Sequence, residues 1–520
     1  MKKLPIGIST FSKIVEGSYA YVDKTKIALD LIEGSGYYFL SRPRRFGKSL
    51  FLDTLREIFL GSKELFKGLY IYDKYDFKKY PVIHISFGSS GVKVREDLYK
   101  EVDVILKRNQ DRLGIRCPED YSFKFCFQLL IEEAYRKYNE RVVILIDEYD
   151  KPILDNIEET DRAREIRDEL KNFYSVIKDS DAYIRFVFIT GVSKFSKVSL
   201  FSGLNNLNDI TVHQGYATIC GYTQEDVETV FREHLKGQDF EKIRKWYNGY
   251  SWLGDSVYNP FDILLFISNN YLYRNYWFST ATPTFLLKLI EKNKYYLPRL
   301  ETVIKDDRML DSFDVDNIEI ETLMWQTGYL TIKKMEEGFD GVPYYYLDIP
   351  NFEVRLSLMG SIADYISRIN NTALIRQDLY KVLRNTDIEG LEKKLKALYA
   401  SIPYNNFTGE KLYEYEGYYV SVFYSYIKAL GVDVIGEDVT NKGRIDITIK
   451  LPNVIYICEF KEEGKGALSQ IKEKGYHEKY LSEDKPIYLL GIEFSKNERN
   501  IEKIECEKAT TLLPGNQGDK

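Results

Sequence analysis

The sequence predicts an α/β protein of several parts: a parallel sheet built round a phosphate-binding loop, a helical or winged-helix lid, a helical connector, and a second α/β domain at the C-terminal end. Three observations predict it. Short apolar runs alternate with helical patterns through residues 1–220, the arrangement that builds a parallel sheet covered on both faces. Ser41–Leu52 reads SRPRRFGKSLFL and Arg141–Asp150 reads RVVILIDEYD, a basic loop and an acidic strand end in the order that nucleotide hydrolysis needs. Beyond residue 400, GRIDITIK (Gly443–Lys450) and VIYICEFK (Val454–Lys461) flank a Leu-Pro-Asn turn, the pattern of a hairpin carrying acids.

In the first part, strands are expected at Tyr37–Leu40, Val82–Phe87, Val142–Ile146 and Ile184–Thr190, with helices over Leu98–Lys107 and Ile166–Lys178. The loop between the first strand and the amphipathic stretch Leu50–Phe59 is where helix N-terminal N–H groups would point at an anion. The backbone of Arg45, Phe46, Gly47 and Leu50 would cradle phosphate. Lys48 would reach the β- and γ-phosphates, and Ser49 would complete a Mg²⁺ shell. Asp147 would hold Mg²⁺, and Glu148 would orient or deprotonate the attacking water. Thr190 reads either as a sensor touching the γ-phosphate or the water, or as a turn residue before Gly191. The loop departs from GxxxxGK[ST] at its first position, where Arg42 replaces glycine. Pro43, Arg44 and Arg45 follow, stiffening the loop and adding charge. The alternative, a basic turn before an ordinary helix, is disfavoured by the Asp-Glu pair after VVILI.

From Gly221 the pattern changes. Thr223 with Asp226 three residues on opens a helix in capping-box style, so 221–300 is read as the lid. WYNGYSW (Trp246–Trp252) and YNPFDIL (Tyr258–Leu264) are aromatic turns, for which packing is favoured over base stacking. Residues 301–400 are read as a helical connector with charged faces, 401–513 as the second α/β domain, and 514–520 as a disordered tail. In that domain, period-2 alternation groups Arg444, Asp446, Thr448 and Lys450 on one face and Ile445, Ile447 and Ile449 on the other. A hairpin would bring Asp446, Glu459 and Lys461 together. Two carboxylates can share a hard divalent cation that activates water, and a lysine can steady transition-state charge. The bland reading is an ion pair of Glu459 with Arg444 or Lys461.

Composition narrows the classes. A net charge of −6 over 520 residues excludes a uniformly basic nucleic-acid coat, so any such binding uses local patches. No apolar run approaches the ~20 residues of a membrane span, and MKKLPIGIST has no signal-peptide core. Five scattered cysteines without a CxxC pair read as reduced thiols and a cytoplasmic setting. Four histidines argue against His-rich zinc chemistry.

PIGISTF, YVDKT, SRPRRFGKSLF, LIDEYDKP, ITGVSKFS, FSGLNNLNDIT, YNGY and NPFDI occur in order, followed by GRIDI, EFK and QIKEKGY. The chain resembles the bacterial and archaeal family that joins an N-terminal AAA-ATPase-like domain to a C-terminal PD-(D/E)XK nuclease-superfamily domain. The resemblance spans nearly the whole chain and is weakest over 300–400. It implies a P-loop NTPase core and a restriction-endonuclease-like C-terminal domain, and it makes the Arg-Pro-Arg-Arg loop a family feature. It also implies ATP and Mg²⁺ at the first site, with Lys48, Ser49, Asp147 and Glu148 in the roles above. Mg²⁺ or Mn²⁺ is implied at Asp446 and Glu459, with Lys461 catalytic and Gln470 as downstream companion. An upstream acid is implied too, Glu416 first and Glu437 second. The expected function is an ATP-binding and hydrolysing protein coupled to a metal-dependent nuclease acting on DNA, in defence or mobile-element processing. The alternative is a nucleotide-dependent switch whose nuclease-like domain binds DNA or a protein without cutting. A third reading gives the three arginines to nucleic acid. Arg185 and Arg232 are candidate arginine fingers, and oligomeric state is left open.

Overall fold

The computed structural model describes residues 1–34, 36–89, 91–194, 200–201, 204, 206–280, 284–311, 315–369, 372–402, 416–462, 464–495 and 497–509. The tail expected at 514–520 lies outside them. The chain forms two compact units, one of Met1–Ala281 with Ile304–Asn351, the other of Thr282–Val303 with Phe352–Lys520.

The first unit is built on strands β1 (Tyr37–Ser41), β2 (Val82–Ser86), β3 (Val142–Asp147), β4 (Ile184–Gly191) and β5 (Leu207–Asp209). They pair in the order β2-β3-β4-β1-β5, all parallel. The four anticipated strands are each found to within a residue or so. β5 was missed because three residues are too few to show a period. Helix Lys48–Phe59 follows β1 and buries Phe51, Leu52, Leu55, Ile58 and Phe59, with Phe51 against Phe188 and Phe59 against Phe186 of β4. Each such side chain contributes about 1.5–3 kcal/mol of burial, which seats the helix on the sheet. Its N-terminus therefore stands at the carboxyl end of β1. The order also inserts β4 between β1 and β3, so the loop after β1, Thr190 of β4 and Asp147 of β3 end on one edge, where ligands of such sheets gather.

The lid region supplies helices Gln224–Val230, Phe240–Tyr247 and Pro260–Ser268. The anticipated capping box forms in full: Thr223 Oγ1 accepts from Asp226 N, and Asp226 Oδ2 from Thr223 N. Val227, Phe231, Ile243, Tyr247 and Phe266 pack with Ala20 and Val22 in one cluster.

Two expectations are corrected. Residues 301–400 are not wholly helical, since β6 (Val303–Asp306), β7 (Thr331–Glu337) and β8 (Pro343–Asp348) form a three-stranded sheet ordered β6-β8-β7. Five of the seven β7 residues are exposed, so it lacks the apolar alternation that announces a strand. Nor are all the thiols reduced. Cys117 and Cys126 form a disulfide with Cα atoms 5.6 Å apart, within the span such a bond allows. Cys117 lies in the link between helices Arg95–Leu113 and Phe123–Tyr138, and Cys126 in the first turn of the second, a pairing that a nine-residue separation does not signal. Among the described residues no helix is long and apolar enough to cross a membrane.

The second unit holds β9 (Asp433–Thr440), β10 (Gly443–Lys450), β11 (Ile455–Glu462), β12 (Ile487–Ser495) and β13 (Asn500–Lys508) in sequential order. β11 and β12 are parallel and the other pairs antiparallel. Helix Ala467–Lys474 and the 3-10 turn Tyr476–Glu483 cross from β11 to β12. Strict alternation does not survive on β10. Ile445 packs with Ile455, Ile457 and Ile471, yet Thr448 already lies opposite Ile457. The break falls around Asp446, beside Glu437 on β9, whose φ is 55°.

Candidate nucleotide and nuclease sites

The loop after β1 turns without the missing glycine because its left-handed residues are elsewhere, at Arg45 (φ 68°) and Gly47 (φ 93°). Arg42 is fully buried. Its Nη1 donates to Ser41 O (2.9 Å) and Thr211 O (2.7 Å), its Nη2 to Tyr216 O (3.3 Å), and its guanidinium lies 4.0 Å from the Trp252 ring centroid. Arg42 is therefore a strut and not part of a basic surface, which corrects the reading of three arginines as a nucleic-acid contact. Only Arg44 and Arg45 are exposed, and Arg45 lies over the Phe261 ring. Phe46 is buried edge-on to Tyr250 and Trp252. The aromatic turn WYNGYSW thus packs the loop from below.

Lys48 is buried, and its ammonium donates to Arg42 O (2.8 Å) and Pro43 O (2.9 Å), so carbonyls hold it and not a carboxylate. Burial lowers its pKa, and the charges of Asp147, Glu148 and Asp150 oppose that. Ser49 is half-buried in the first turn of its helix. Thr190 Oγ1 donates to Asp147 Oδ1 at 2.7 Å, so Thr190 is turned toward the acids. Glu148 sits at φ 52°, a conformation that a non-glycine residue keeps only under constraint. Burial, then the charge of Asp147, raises its pKa. A cleft of about 480 Å³ is lined by Gly47, Lys48, Ser49, Leu50, Glu148 and Phe261 among others, within the usual range for small-molecule sites.

Asp150, which the sequence reading passed over, accepts from Val192 N, Ser193 N and Ser193 Oγ. It ties the loop after β3 to the end of β4, and no local signal marks it, because its partners Val192 and Ser193 lie 42 and 43 residues away. Arg185 is the second residue of β4, at the far end from Thr190. About 17 Å of strand separates them, so Arg185 does not serve its own chain's site. Arg232 is exposed beyond helix Gln224–Val230.

In the second unit, the β10–β11 register runs Ile447 against Cys458 and so carries Asp446 toward Glu459. Asp446 Oδ2 accepts from Phe460 N at 2.8 Å. Glu459 is buried, its Oε1 taking Gln470 Nε2 and lying 3.3 Å from Lys461 Nζ. Its Oε2 is buried with no hydrogen-bond partner. Burial, then the charge of Asp446, pushes its pKa up to about 8, against the pull of Lys461. Asp446, Glu459, Lys461 and Gln470 are thus brought together. The ion pair with Lys461 exists, whereas Arg444 pairs instead with Glu437 (2.5 Å). Glu416 opens helix Glu416–Lys428, but its side chain lies outside the described residues. Glu437 lies across from Asp446, because β9 and β10 pair Asp438 with Ile445 and Gly436 with Ile447.

Both sites suit the groups expected of them. A buried ammonium whose hydrogen bonds go to carbonyls, at a helix N-terminus, suits a phosphate. A bare buried carboxylate oxygen beside a second acid suits a hard divalent cation. Among the described residues no three His, Cys, Asp or Glu side chains form a ready cage, so a cation at either place would take its other ligands from phosphate oxygens and water.

The family described as predicted AAA-ATPase matches residues 5–201, and the PD-(D/E)XK nuclease superfamily matches 414–504. The chain is 49% identical over 507 residues to a protein of Azotobacter chroococcum mcd 1 named "Uncharacterized protein in vnfD 5'region", covering 96% of this chain and 98% of that one. Among solved structures it is similar to Cdc6p of Pyrobaculum aerophilum (TM-score 0.26, 11% identity, 69% of this chain and 98% of that one). It is also similar to the Aeropyrum pernix ORC1 protein in complex with DNA (TM-score 0.28, 10% identity, 69% and 97%). Both superpositions are too loose to bear on function. The two matched regions and the full-length relative identify the chain as a member of the family that joins a predicted AAA-ATPase domain to a C-terminal PD-(D/E)XK nuclease-superfamily domain.

Proposed function

We propose that this protein binds and hydrolyses ATP with its first unit and cuts DNA with its second in a metal-dependent reaction. The observation that carries the reading is the pair Asp446 and Glu459, with one Glu459 oxygen buried and unpartnered. In a merely structural ion pair that oxygen would cost about 1–3 kcal/mol for nothing. A divalent cation there would polarise the scissile phosphate and lower the pKa of bound water. Lys461 would steady the attacking hydroxide or the developing charge, and Gln470 holds Glu459 in place. In the first unit Lys48 would exchange its carbonyl partners for the β- and γ-phosphates. Ser49 and Asp147 would hold Mg²⁺, Glu148 would orient water, and Thr190, bonded to Asp147, would sense the γ-phosphate. A role in defence or mobile-element processing belongs to this proposal.

The test is cleavage of circular and linear DNA with and without ATP and Mn²⁺, beside Asp446→Ala and Lys48→Ala. Metal-dependent cutting lost in Asp446→Ala supports the nuclease, and loss in Lys48→Ala supports gating by ATP. ATP turnover without any cutting would instead favour a nucleotide switch whose second unit only binds.

A further inference from the structure

Gln470, which holds Glu459, sits on a helix whose own position is set from the next strand. β11 and β12 run parallel, with Glu459 beside Gly491 and Lys461 beside Glu493. The chain leaves β11 through Gly464 and Gly466, and helix Ala467–Lys474 starts with no side-chain cap from its own N-cap residue, Gly466. N–H groups left bare in a first turn need another acceptor. Glu493, only 8% exposed, supplies it. Its Oε1 accepts from Gly466 N (3.0 Å) and Ala467 N (3.2 Å), and its Oε2 from Gly464 N (3.2 Å).

This grip reaches the acids through one turn of helix. Gly466, whose N–H is held by Glu493, receives at its carbonyl a helical bond from Gln470 N at 3.2 Å. Gln470 Nε2 then donates to Glu459 Oε1, while Glu459 Oε2 is the buried oxygen without a partner. The turn is also pressed onto β12, where a Cβ on Gly491 would stand 2.4 Å from Leu468 N. A cap from the helix's own N-cap residue would close the helix end without fixing its place on the sheet. Glu493 does both, because it belongs to the strand beside that of Glu459. We propose that Glu493 is a positioning residue of the nuclease site: by fixing the Gly464–Ala467 backbone on β12 it sets Gln470 against one oxygen of Glu459 and leaves the other for a divalent cation. This rests on the reading of Asp446 and Glu459 as a metal site.

The experiment measures Mn²⁺ binding to the full chain without nucleotide, by electron paramagnetic resonance of free Mn²⁺, and the same proteins are assayed for Mn²⁺-dependent DNA cleavage. Asp446→Ala defines the site, and Glu493→Ala, Gln470→Ala and their double variant test the relay. Loss of an outer-shell partner weakens metal binding about 10–100-fold, so each single variant should weaken the Asp446-dependent site about tenfold. Groups that act through one another are not additive, so the double variant should bind no more weakly than Gln470→Ala. A cap that only stabilises the helix would leave the affinity of the folded protein unchanged. Should Glu493→Ala not fold, Glu493→Asp takes its place: it keeps the charge, shortens the reach by one methylene and should weaken binding in the same non-additive way. Wild-type affinity in a folded Glu493 variant, or losses that multiply in the double variant, overturn the proposal. Absence of any Asp446-dependent Mn²⁺ binding overturns it together with the metal site. If binding weakens as expected but wild type cuts no DNA, the positioning role stands and the nuclease reading falls.

Discussion

Replacing Arg42 with glycine restores the residue that the phosphate-loop pattern asks for at that position, and the structure says this should damage the protein. Three hydrogen bonds from a charged donor contribute about 2 kcal/mol each. The guanidinium over Trp252 adds about 2 kcal/mol when desolvated. Against this stands the cost of burying the cation, whose pKa is lowered to about 10 by burial, a penalty of about 3 kcal/mol at 1.36 kcal/mol per pKa unit. The net expectation for Arg42→Gly is a loss of about 5 kcal/mol in the first unit. At ~2.1 cal/mol/K per residue over that unit, its unfolding temperature should fall by about 7 °C. The assay is direct, because all four tryptophans, Trp246, Trp252, Trp277 and Trp325, lie in the first unit, and their fluorescence reports its unfolding alone. An Arg42→Gly protein that unfolds at the wild-type temperature, or binds ATP more tightly, would refute the strut assignment.

Three other outcomes are expected. Burial of Glu459 beside Asp446 raises its carboxyl to about 8. Its contribution to stability is therefore fullest below the ordinary value near 4.5 and is lost as pH rises through 8. In EDTA at pH 8.5, Glu459→Gln should raise the unfolding temperature read by circular dichroism, and in a separate assay with Mn²⁺ it should fail to cut DNA; a lowered temperature counts against an acid held at a cost to stability. His84 is shifted the other way, down to about 4, by burial and then by Arg56 and Arg112. Its contribution is full above the ordinary value near 6.5 and is lost as pH falls toward 4, so His84→Asn should flatten the fluorescence-read stability profile across that window. Gly436→Ala pushes a Cβ into Pro298, whose backbone is 2.9 Å away. It should cost the second unit about 1–3 kcal/mol, seen in urea unfolding, and a neutral result would mean that the Leu297–Thr302 turn is not fixed to β9.

Some of the candidate sites was legible because it is written locally. Lys48 and Ser49 open a helix directly after a strand, and Asp147 and Glu148 end one, so spacing alone places them at strand ends. Thr190 was open between two readings, and its bond to Asp147 across β3 and β4, which no local pattern announces, shows only which way its hydroxyl turns. The pairing of Asp446 with Glu459 followed from a short turn between two strands. The alternation used to group the β10 residues failed at Asp446, because a distortion opposite Glu437 is a property of two strands and not of one.

The amino-acid sequence by itself determined the order of the elements, the phosphate loop, the acidic strand ends and the hairpin that carries Asp446, Glu459 and Lys461. Each of these is encoded by side-chain types within a few residues of one another, where backbone geometry fixes their relation. Only the tertiary structure decided that Arg42 is a strut, since its partners Thr211, Tyr216 and Trp252 lie about 170 or more residues away along the chain. Leu297 and Glu301 likewise reach the helix Glu416–Lys428 from 123 to 127 residues away, and Cys117, in the link between two helices, meets Cys126 in the first turn of the second. Burial and charge pairing at long range depend on how separate segments pack, and no local pattern records that.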